Sequence, residues 1–144
     1  MTELSILPAS AADAAELARL NGLFNGATLT PAEQAEHLRA AASTERALLA
    51  WVDGRAVGFT CLRFARLITT ALPYAEVTEL FVEEAFRRRG IARALLAEAE
   101  VLARGLGAPG IILFTGLKNE TAQAFYRAVG YHDYAITMRK VFGG

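Results

Sequence analysis

A chain of 144 residues is long enough to bury one sizeable hydrophobic core, and a second domain of ordinary size would be cramped. Its 15 Lys and Arg residues balance its 15 Asp and Glu residues, so no overall charge attracts it to nucleic acid or to an anionic membrane surface. The only cysteine, Cys61, excludes an internal disulfide and an all-cysteine metal site, and it suits a reducing cytoplasm.

The sequence also lacks the usual signals for export or membrane insertion. Its first residues, MTELSILPAS, contain acid and proline where a signal peptide would contain a basic region and an apolar run. No apolar stretch approaches the roughly 20 residues that a bilayer-spanning helix needs. We therefore expect a single cytoplasmic domain over residues 1–144, with no membrane partner.

The N-terminal part predicts one strand followed by two helices. Residues 3–8 form a short apolar-alternating strand, and Ser10 with Asp13 forms a capping-box start for the first helix. The apolar residues expected on the buried face of this helix are Leu17, Leu20 and Phe24. A second helix is predicted from Thr30 to about residue 42, because an N-cap threonine, a first-turn proline and an N3 acid follow in order.

Three consecutive strands are predicted next. Residues 46–52 and 55–67 flank Asp53-Gly54, which is a strong signal for a two-residue hairpin turn. The segment LPYAEVTELFV, residues 72–82, follows a proline-containing loop as the third strand.

The C-terminal part changes to a helical period and then alternates again. A helix over residues 90–106 is predicted from apolar residues on one face, namely Ile91, Leu95, Leu102 and Leu106. The continuous apolar run at 110–116 is typical of a strand covered on both faces. Asn119 caps a last helix that ends near Gly130, and residues 131–142 have strand-like composition.

This order of elements, β-α-α-β-β-β-α-β-α-β, predicts a mixed sheet of the α/β class. Its strand at 72–82, its helix at 90–106 and its strand at 110–116 would form a right-handed βαβ unit.

Four arginines surround the predicted start of the helix at 90–106: Arg87, Arg88, Arg89 and Arg93. Cations at a helix N-terminus lie at the wrong end of the helix dipole and cost about 0.3 to 1 kcal/mol each when exposed. A bound polyanion would reverse the sign of that interaction, and the unpaired N–H groups beside Gly90 would gain acceptors. The alternative is a solvated arginine turn with no ligand.

Other polyanion-binding motifs are absent from the sequence. Neither the G-x-G-x-x-G string of dinucleotide-binding folds nor the G-x-x-x-x-G-K-[S/T] string of P-loop enzymes occurs. Nucleic acid remains an alternative on the arginines alone, but the neutral charge and the lack of a long basic stripe argue against it.

The segment FVEEAFRRRGIARALL, residues 81–96, resembles the acyl-CoA signature of the GNAT superfamily of N-acetyltransferases, with Arg87-x-x-Gly90-x-Ala92 matching its R/Q-x-x-G-x-G/A turn. The segment KNETAQAFYRAVGY, residues 118–131, is similar to the superfamily's second coenzyme-binding segment. Glu84 replaces the usual proline after the strand, and Ala92 stands where glycine is commonest. The resemblance implies a predominantly antiparallel GNAT-type sheet with a central βαβ unit, in which the strands at 72–82 and 110–116 splay apart around pantetheine.

The resemblance also implies which residues bind acetyl-CoA. Main-chain atoms of Leu80, Phe81 and Val82 would hold the pantetheine and acetyl group, with the Val82 N–H as oxyanion donor. The residues that would hold the diphosphate are Arg87, Arg88, Arg89, Gly90, Ile91, Ala92 and Arg93. In the second segment, Asn119 would reach the pantetheine arm, while Ala122 and Phe125 would shape the far wall.

Three residues are candidates for proton transfer. Tyr126 matches a position where the family often has a general acid for the departing thiolate; the alternative is a packed core aromatic. A phenol near pKa 10 is a weaker acid than a thiol near 8.5, so complete transfer would cost about 2 kcal/mol. Glu79 and Glu76 both match carboxylate positions of family members and are candidate bases for the amine. Because they are three apart, we expect them on opposite faces, with Glu79 the one that faces the acceptor.

The remaining polar residues give weaker signals. His37 falls in a polar helix, His132 falls in a turn, and no metal-site spacing appears. Cys61 is read as a buried small hydrophobe rather than a nucleophile.

The sequence thus predicts an acetyl-CoA-dependent N-acetyltransferase that acts on a primary amine of a small molecule or peptide, without a metal. Segments 21–29 and 66–74 and the C-terminal strands are expected to set the choice of amine. The alternative is a catalytically silent acyl-CoA sensor or interaction module. Edge strands near the C-terminus are compatible with a homodimer.

Overall fold

The computed structural model describes residues 3–26 and 28–143. The chain divides into two units, Met1–Leu113 and Phe114–Gly144. The five strands described belong to the first unit and pair in chain order. They are Leu4–Pro8 (β1), Glu45–Val52 (β2), Arg55–Ala65 (β3), Tyr74–Val82 (β4) and Ile112–Leu113 (β5). Strands β1 to β4 pair antiparallel and β5 pairs parallel with β4, which confirms a mixed, mostly antiparallel sheet.

The α-helices of the described chain are Ala14–Asn25 (α1), Pro31–Ala40 (α2), Ile91–Gly105 (α3) and Glu120–Ala128 (α4), and short 3-10 turns cover Ala11–Asp13 and Glu84–Phe86. The capping box predicted at Ser10 is present, and the N-cap and N3 acid predicted at Thr30 and Glu33 form a second one. Ser10 N–H donates to the Asp13 carboxylate at 2.9 Å, so the first box closes the 3-10 turn that leads into α1. Glu33 N–H donates to Thr30 Oγ1 at 3.1 Å, so the second box opens α2 at Pro31 as expected.

The predicted hairpin between β2 and β3 is confirmed. Asp53 and Gly54 both have positive φ, at 51° and 76°, which is the backbone that a two-residue type I′ turn requires. The register then shifts at Ala50/Trp51, where Trp51 pairs with Ala56 but Ala50 pairs with Gly58. The intervening residue, Val57, is therefore an extra residue of β3 and forms a β-bulge.

The core of the first unit lies on both faces of the sheet. On one face, Leu17 and Leu20 of α1 form a buried cluster with Leu49 and Phe59. On the other face, α3 packs on β3 and β4 with Leu95 fully buried. Gly58 is needed there, because an added Cβ would lie 2.7 Å from the Phe81 carbonyl oxygen and 3.4 Å from Leu95 Cδ1. This close approach fixes the end of β4 beside the start of α3.

Some boundary predictions were wrong at the C-terminal side. The strand predicted at 110–116 is only Ile112–Leu113, since Phe114 is 56% exposed and the run is not covered on both faces. Residues 131–142 are not a strand in the structure, although Tyr134, Ile136 and Met138 alternate as a strand would. Their side chains are 79%, 83% and 86% exposed, so the alternation has no buried face among the residues that the structure describes.

Candidate active site

The far half of β4 has a main-chain edge without a neighbouring strand in the described part of the first unit. Strand β5 pairs with β4 only at Glu76 and Val77. Glu83 N–H donates to the Val57 carbonyl at 2.8 Å, and antiparallel alternation therefore turns the N–H groups of Leu80 and Val82 away from β3. The start of β5 thus lies beside β4, and the strand ends before it reaches these donors. This short parallel pairing is compatible with the splayed arrangement that the resemblance implied.

A tight turn follows this edge and leads into α3. Arg88 and Gly90 both adopt left-handed backbone, with φ of 63° and 80°. Left-handed residues placed next to residues of ordinary φ turn successive N–H groups toward one side, the arrangement of an anion-binding nest. Within the described residues, the main-chain N–H groups from Arg88 to Arg93 have no hydrogen-bond acceptor. The turn and the positive end of α3 therefore present a continuous set of donors.

The arginines of this turn are exposed, and two of them, Arg87 and Arg89, also contact other protein groups. Arg87 Nε donates to the Val82 carbonyl at 2.9 Å, and its guanidinium lies 5.8 Å from the centre of the Phe81 ring. The Arg89 guanidinium lies 5.2 Å from the centre of the Phe86 ring. The Arg87 side chain therefore connects the turn to the end of β4. It holds the N–H groups of the turn close to the free N–H groups of β4.

Glu76 and Glu79 lie on the same face of the sheet, so the prediction of opposite faces was wrong. Glu79 pairs with Cys61, and Glu76 pairs with Arg63, two residues further along β3. Cross-strand partners share a face, and residues two apart in a regular strand also share one. Thr78 is the extra residue of a β-bulge, and it restores the alternation that the spacing of three would have broken.

The two glutamates have different surroundings. Glu76 is 7% exposed, accepts from the Tyr74 hydroxyl at 2.7 Å and pairs with Arg63 Nη2 at 3.3 Å. Burial, together with the hydrogen bond to Glu76, raises the pKa of Tyr74. Glu79 receives only a long bond from Asn25 Nδ2, at 3.4 Å. The Glu76 carboxylate is thus already bonded to Tyr74 and Arg63, whereas the Glu79 carboxylate is available to bind a ligand.

Glu79 lines a cavity of about 300 Å³ within the first unit. The walls come from α1, α2 and the strands β2, β3 and β4. The polar residues that line it are Asn21, Gln34, His37, Glu45, Arg46, Cys61, Thr78 and Glu79. His37, which the sequence did not favour, therefore faces the same cavity as Glu79.

Three phenylalanine rings pack together beside this cavity, and one of them, Phe59, lines it. Phe24 stacks on Phe81 with ring centres 5.1 Å apart, and it meets Phe59 edge-on at 6.1 Å. Phe24 is 41% exposed, so its predicted burial was wrong, but its position is explained by these ring contacts. Of the segment 21–29, Asn21 and Asn25 reach the cavity and Glu79, and residue 27 lies outside the described residues.

Cys61 lines the cavity between the glutamates of neighbouring strands. Burial, with added repulsion from Glu79 and Glu45, raises the pKa of its thiol from 9.0 to about 12. A thiol needs its thiolate form to attack a thioester. Cys61 is therefore protonated at neutral pH, which fits its reading as a small apolar residue.

The second unit contains the other candidates. Asn119 caps α4, because its Oδ1 accepts from the Ala122 N–H at 3.1 Å. The Tyr126 ring lies 5.4 Å from that of Phe125 and 6.1 Å from that of Tyr131, and burial raises the pKa of Tyr126. A higher pKa makes the phenol a weaker acid than a free tyrosine.

Glu45 and Gln34 are cavity residues that the sequence reasoning missed. Neither belongs to a recognisable motif, and the residues of β3 that share the face of Glu45 depend on the bulge at Val57. The capping box at Thr30 was the one available signal for Gln34, since it fixes the phase of α2.

Residues 3–26 and 28–143 contain no group of three or more His, Cys, Asp or Glu side chains that could hold a metal ion. None of the helices in this range has the length and apolarity needed to cross a bilayer.

Comparisons with known proteins agree with this geometry. A family model described as the acetyltransferase (GNAT) family matches residues 14–131. An uncharacterized N-acetyltransferase of Methanocaldococcus jannaschii is 33% identical over 88 residues, which are 59% of this chain. The chain spans only 38% of the length of that curated relative.

Solved structures share the fold over nearly the whole chain. An acetyltransferase of Trypanosoma brucei aligns with a TM-score of 0.86 and 19% identity, over 97% of this chain and 100% of that one. The aminoglycoside N-acetyltransferase AAC(6')-Iy in complex with CoA aligns with a TM-score of 0.83 and 19% identity, over 97% of this chain and 96% of that one. At these identities the likeness concerns the fold.

Proposed function

Because the chain belongs to the GNAT acetyltransferase family, we propose that it transfers acetyl from acetyl-CoA to a primary amine of a small molecule or peptide. The observation that carries this proposal is the continuity between the open edge of β4 and the donor turn before α3. Both present main-chain N–H groups, and Arg87 links them through the Val82 carbonyl. An extended chain that ends in a diphosphate fits this sequence of donors.

Acetyl-CoA is the co-substrate in this proposal. Leu80, Phe81 and Val82 would hold its pantetheine arm and thioester through main-chain atoms, with Val82 N–H facing the carbonyl oxygen. The turn residues Arg87, Arg88, Arg89, Gly90, Ile91, Ala92 and Arg93 would hold the diphosphate. The left-handed backbone at Arg88 and Gly90 and the exposed guanidinium groups support this assignment.

The amine would enter the cavity beside Glu79. An amine near pKa 10.4 is mostly protonated at pH 7, so some group must take a proton from it, directly or through water. Glu79 is the better base because its carboxylate faces the cavity with one long contact. Glu76 holds Tyr74 and Arg63, so we assign it a positioning role.

The bond changes are those of a direct attack in a ternary complex. The deprotonated amine nitrogen attacks the thioester carbon, the Val82 N–H stabilises the oxyanion, and the carbon–sulfur bond breaks. The proton of the amine passes to Glu79, and the departing thiolate receives a proton from Tyr126. Cys61 takes no part as an acyl carrier, because its raised pKa leaves little thiolate.

The contribution of the second unit is proposed on the sequence resemblance. Asn119 would bind the pantetheine arm, Ala122 and Phe125 would shape its wall, and Tyr126 would be the acid. The cap formed by Asn119 and the burial of the Tyr126 phenol are compatible with these roles. Whether residues 1–144 act as a single catalytic domain remains a prediction, as does a homodimer.

The test is calorimetric titration with CoA and acetyl-CoA, followed by thioester consumption with a panel of primary amines. We expect binding of both coenzymes and turnover with at least one amine. Well-folded protein that ignores both coenzymes would contradict the proposal. Tight coenzyme binding without turnover of any amine would favour the acyl-CoA sensor, and salt-sensitive DNA or RNA binding would favour the nucleic-acid alternative.

A further inference from the structure

Arg87 contacts the open edge of β4 at the residue that carries the proposed oxyanion donor. Its Nε donates to the Val82 carbonyl at 2.9 Å, and its guanidinium lies 5.8 Å from the centre of the Phe81 ring. The N–H and C=O groups of one strand residue point to the same side of the strand. The guanidinium therefore lies beside the Val82 N–H, where the open edge of β4 ends.

Strand β3 holds the other side of the same backbone. Glu83 N–H donates to the Val57 carbonyl at 2.8 Å, so the peptide group that joins Val82 to Glu83 is bonded to β3 through its N–H and to Arg87 through its carbonyl. The open side has no neighbouring strand in the described part of the first unit, because β5 ends before it reaches Val82. The orientation of this peptide group on its open side therefore depends on the Arg87 side chain.

The rest of the Arg87 guanidinium is available to an anion. The structure gives its two Nη nitrogens no hydrogen bond and no ion pair within residues 3–26 and 28–143, and the residue is exposed. A guanidinium is a rigid planar fork, so its Nε–H can bond one group while its Nη–H groups bond another in a fixed geometry. Arg87 also directly precedes the left-handed residues Arg88 and Gly90 of the donor turn. An anion bound to this turn thus meets the same residue that holds Val82.

On the basis of the proposed function, we infer that Arg87 couples the diphosphate site to the thioester site. An anion bound at the turn fixes the guanidinium, and the guanidinium then fixes Val82 with its N–H toward the thioester oxygen. Arg87 is a positioning residue, because it acts on the reaction through Val82. The diphosphate of acetyl-CoA is then an activator of acetyl transfer as well as an anchor, since its binding energy is used to order groups at the reacting carbon.

The test separates the two halves of the acetyl donor. S-acetylpantetheine carries the thioester without the diphosphate, inorganic pyrophosphate supplies the anion alone, and the acceptor is an amine that the wild type acetylates from acetyl-CoA. We expect pyrophosphate to raise kcat of the wild type with S-acetylpantetheine by about 10- to 100-fold without being consumed. Sodium chloride of equal ionic strength should not replace it, because general screening does not supply an anion to the turn.

Two variants distinguish coupling from anion binding. Arg87→Lys keeps the charge but loses the fork, so the maximal activation by pyrophosphate should fall below about threefold. Arg93→Lys is the matched control, since Arg93 is an exposed residue in the first turn of α3 and the structure gives it no bond to β4 within the described residues. It should need more pyrophosphate for half-maximal activation and keep the maximal activation within about threefold of wild type. A thermal unfolding midpoint close to that of wild type shows that each variant is folded.

Three outcomes would overturn the inference and leave the proposed function intact: no activation of the wild type, full activation of Arg87→Lys, or equal loss of the maximal activation in both variants. If no amine is acetylated even from acetyl-CoA, the proposed function fails, and calorimetry decides the inference. Linkage requires that pyrophosphate strengthen pantetheine binding by the coupling factor, which is typically about 5- to 150-fold. Stronger pantetheine binding in its presence that is lost in Arg87→Lys would support the coupling, and equal or undetectable binding would overturn it.

Discussion

Glu76 and Glu79 project from the same face of β4 although they are three residues apart, because Thr78 is the extra residue of a β-bulge. Only their surroundings distinguish them. Glu76 is bonded to Tyr74 and paired with Arg63, and Glu79 faces the cavity. The bulge therefore places the proposed base, Glu79, and the buried Glu76 on one face of the strand proposed to hold the thioester.

The first prediction concerns these two carboxylates. Glu79→Gln should lower kcat by about 10²- to 10⁴-fold, because the amide cannot accept the proton of the amine. Steady-state rates at saturating acetyl-CoA across pH 6 to 9 measure this. Glu76→Gln should instead lower the free energy of unfolding by about 1 to 3 kcal/mol, since it weakens the bonds to Tyr74 and Arg63. A larger loss of rate in Glu76→Gln than in Glu79→Gln would indicate that Glu76 is the base and that Glu79 has the structural role.

Local signals predicted much of the fold. The caps at Ser10 and Thr30 and the Asp53-Gly54 turn each depend on residues close in sequence, and all appear in the structure. Of the predicted apolar face of α3, Ile91 and Leu95 are buried, whereas Leu106 follows the end of the helix and is 37% exposed. The arginine turn was also visible, because it combines a glycine with a helix start.

The two bulges could not be predicted in the same way. Without the extra residue Val57, the hairpin register would pair Glu45 with Leu62 instead of Arg63, and Leu62 rather than Cys61 would lie on the cavity face of β3. Bulges depend on how strands twist and pack in three dimensions, and no residue type marks them reliably. The cavity and the position of Glu45 in it therefore could not be predicted from the sequence, although β2 and β3 themselves were predicted within a few residues.

Gly90 provides a test of the diphosphate turn. Gly90→Ala should weaken CoA binding at least tenfold, since a φ of 80° is strained for a residue with a Cβ and the turn would relax from its donor geometry. Calorimetric titration gives the dissociation constant. Gly54→Ala is the matched control: its φ is 76° and it also has open space around an added Cβ, so it should lose similar stability without losing CoA affinity. Equal CoA affinity in the two variants would argue against the turn as the diphosphate site.

Tyr126 should act as the acid for the thiolate. We expect Tyr126→Phe to lower kcat by about 10²-fold while leaving the dissociation constant of CoA within about threefold. Because burial raises the pKa of Tyr126 above 10.0, the phenol stays protonated through neutral pH, and the loss of activity that depends on its ionisation should begin above pH 10. Tyr134→Phe, at a side chain that is 79% exposed, should change neither quantity. An unchanged kcat in Tyr126→Phe would assign this residue to packing.

The raised pKa of Cys61 predicts poor reactivity. Moving the pKa from 9.0 to about 12 lowers the thiolate population at pH 8 roughly a thousandfold, so iodoacetamide should label folded protein far more slowly than protein unfolded in urea. Mass spectrometry of timed samples measures the two rates. Cys61→Ala should retain turnover, which separates direct attack from an acyl-cysteine route. Rapid labelling of the folded protein together with an inactive Cys61→Ala would contradict both statements.

Glu83 should make stability depend on pH on the acid side. Its side chain is 13% exposed and pairs with Arg19 at 2.8 Å and with Arg55 at 2.9 Å. Burial acts to raise the pKa of Glu83, but the bonds from both arginines outweigh it and lower the pKa below its usual 4.5.

A lowered pKa in the folded state means that the stabilisation is complete above pH 4.5 and is lost as the pH falls through the folded value. Glu83→Gln should therefore lower the free energy of unfolding by about 1 to 3 kcal/mol at pH 7, and its difference from wild type should shrink toward pH 3. Urea denaturation at a series of pH values measures the difference. Glu36→Gln, which breaks an exposed pair with Arg39, should cost about 0 to 1 kcal/mol at every pH. A difference for Glu83→Gln that does not change between pH 7 and pH 3 would show that the side chain stabilises the end of β4 by packing rather than by charge.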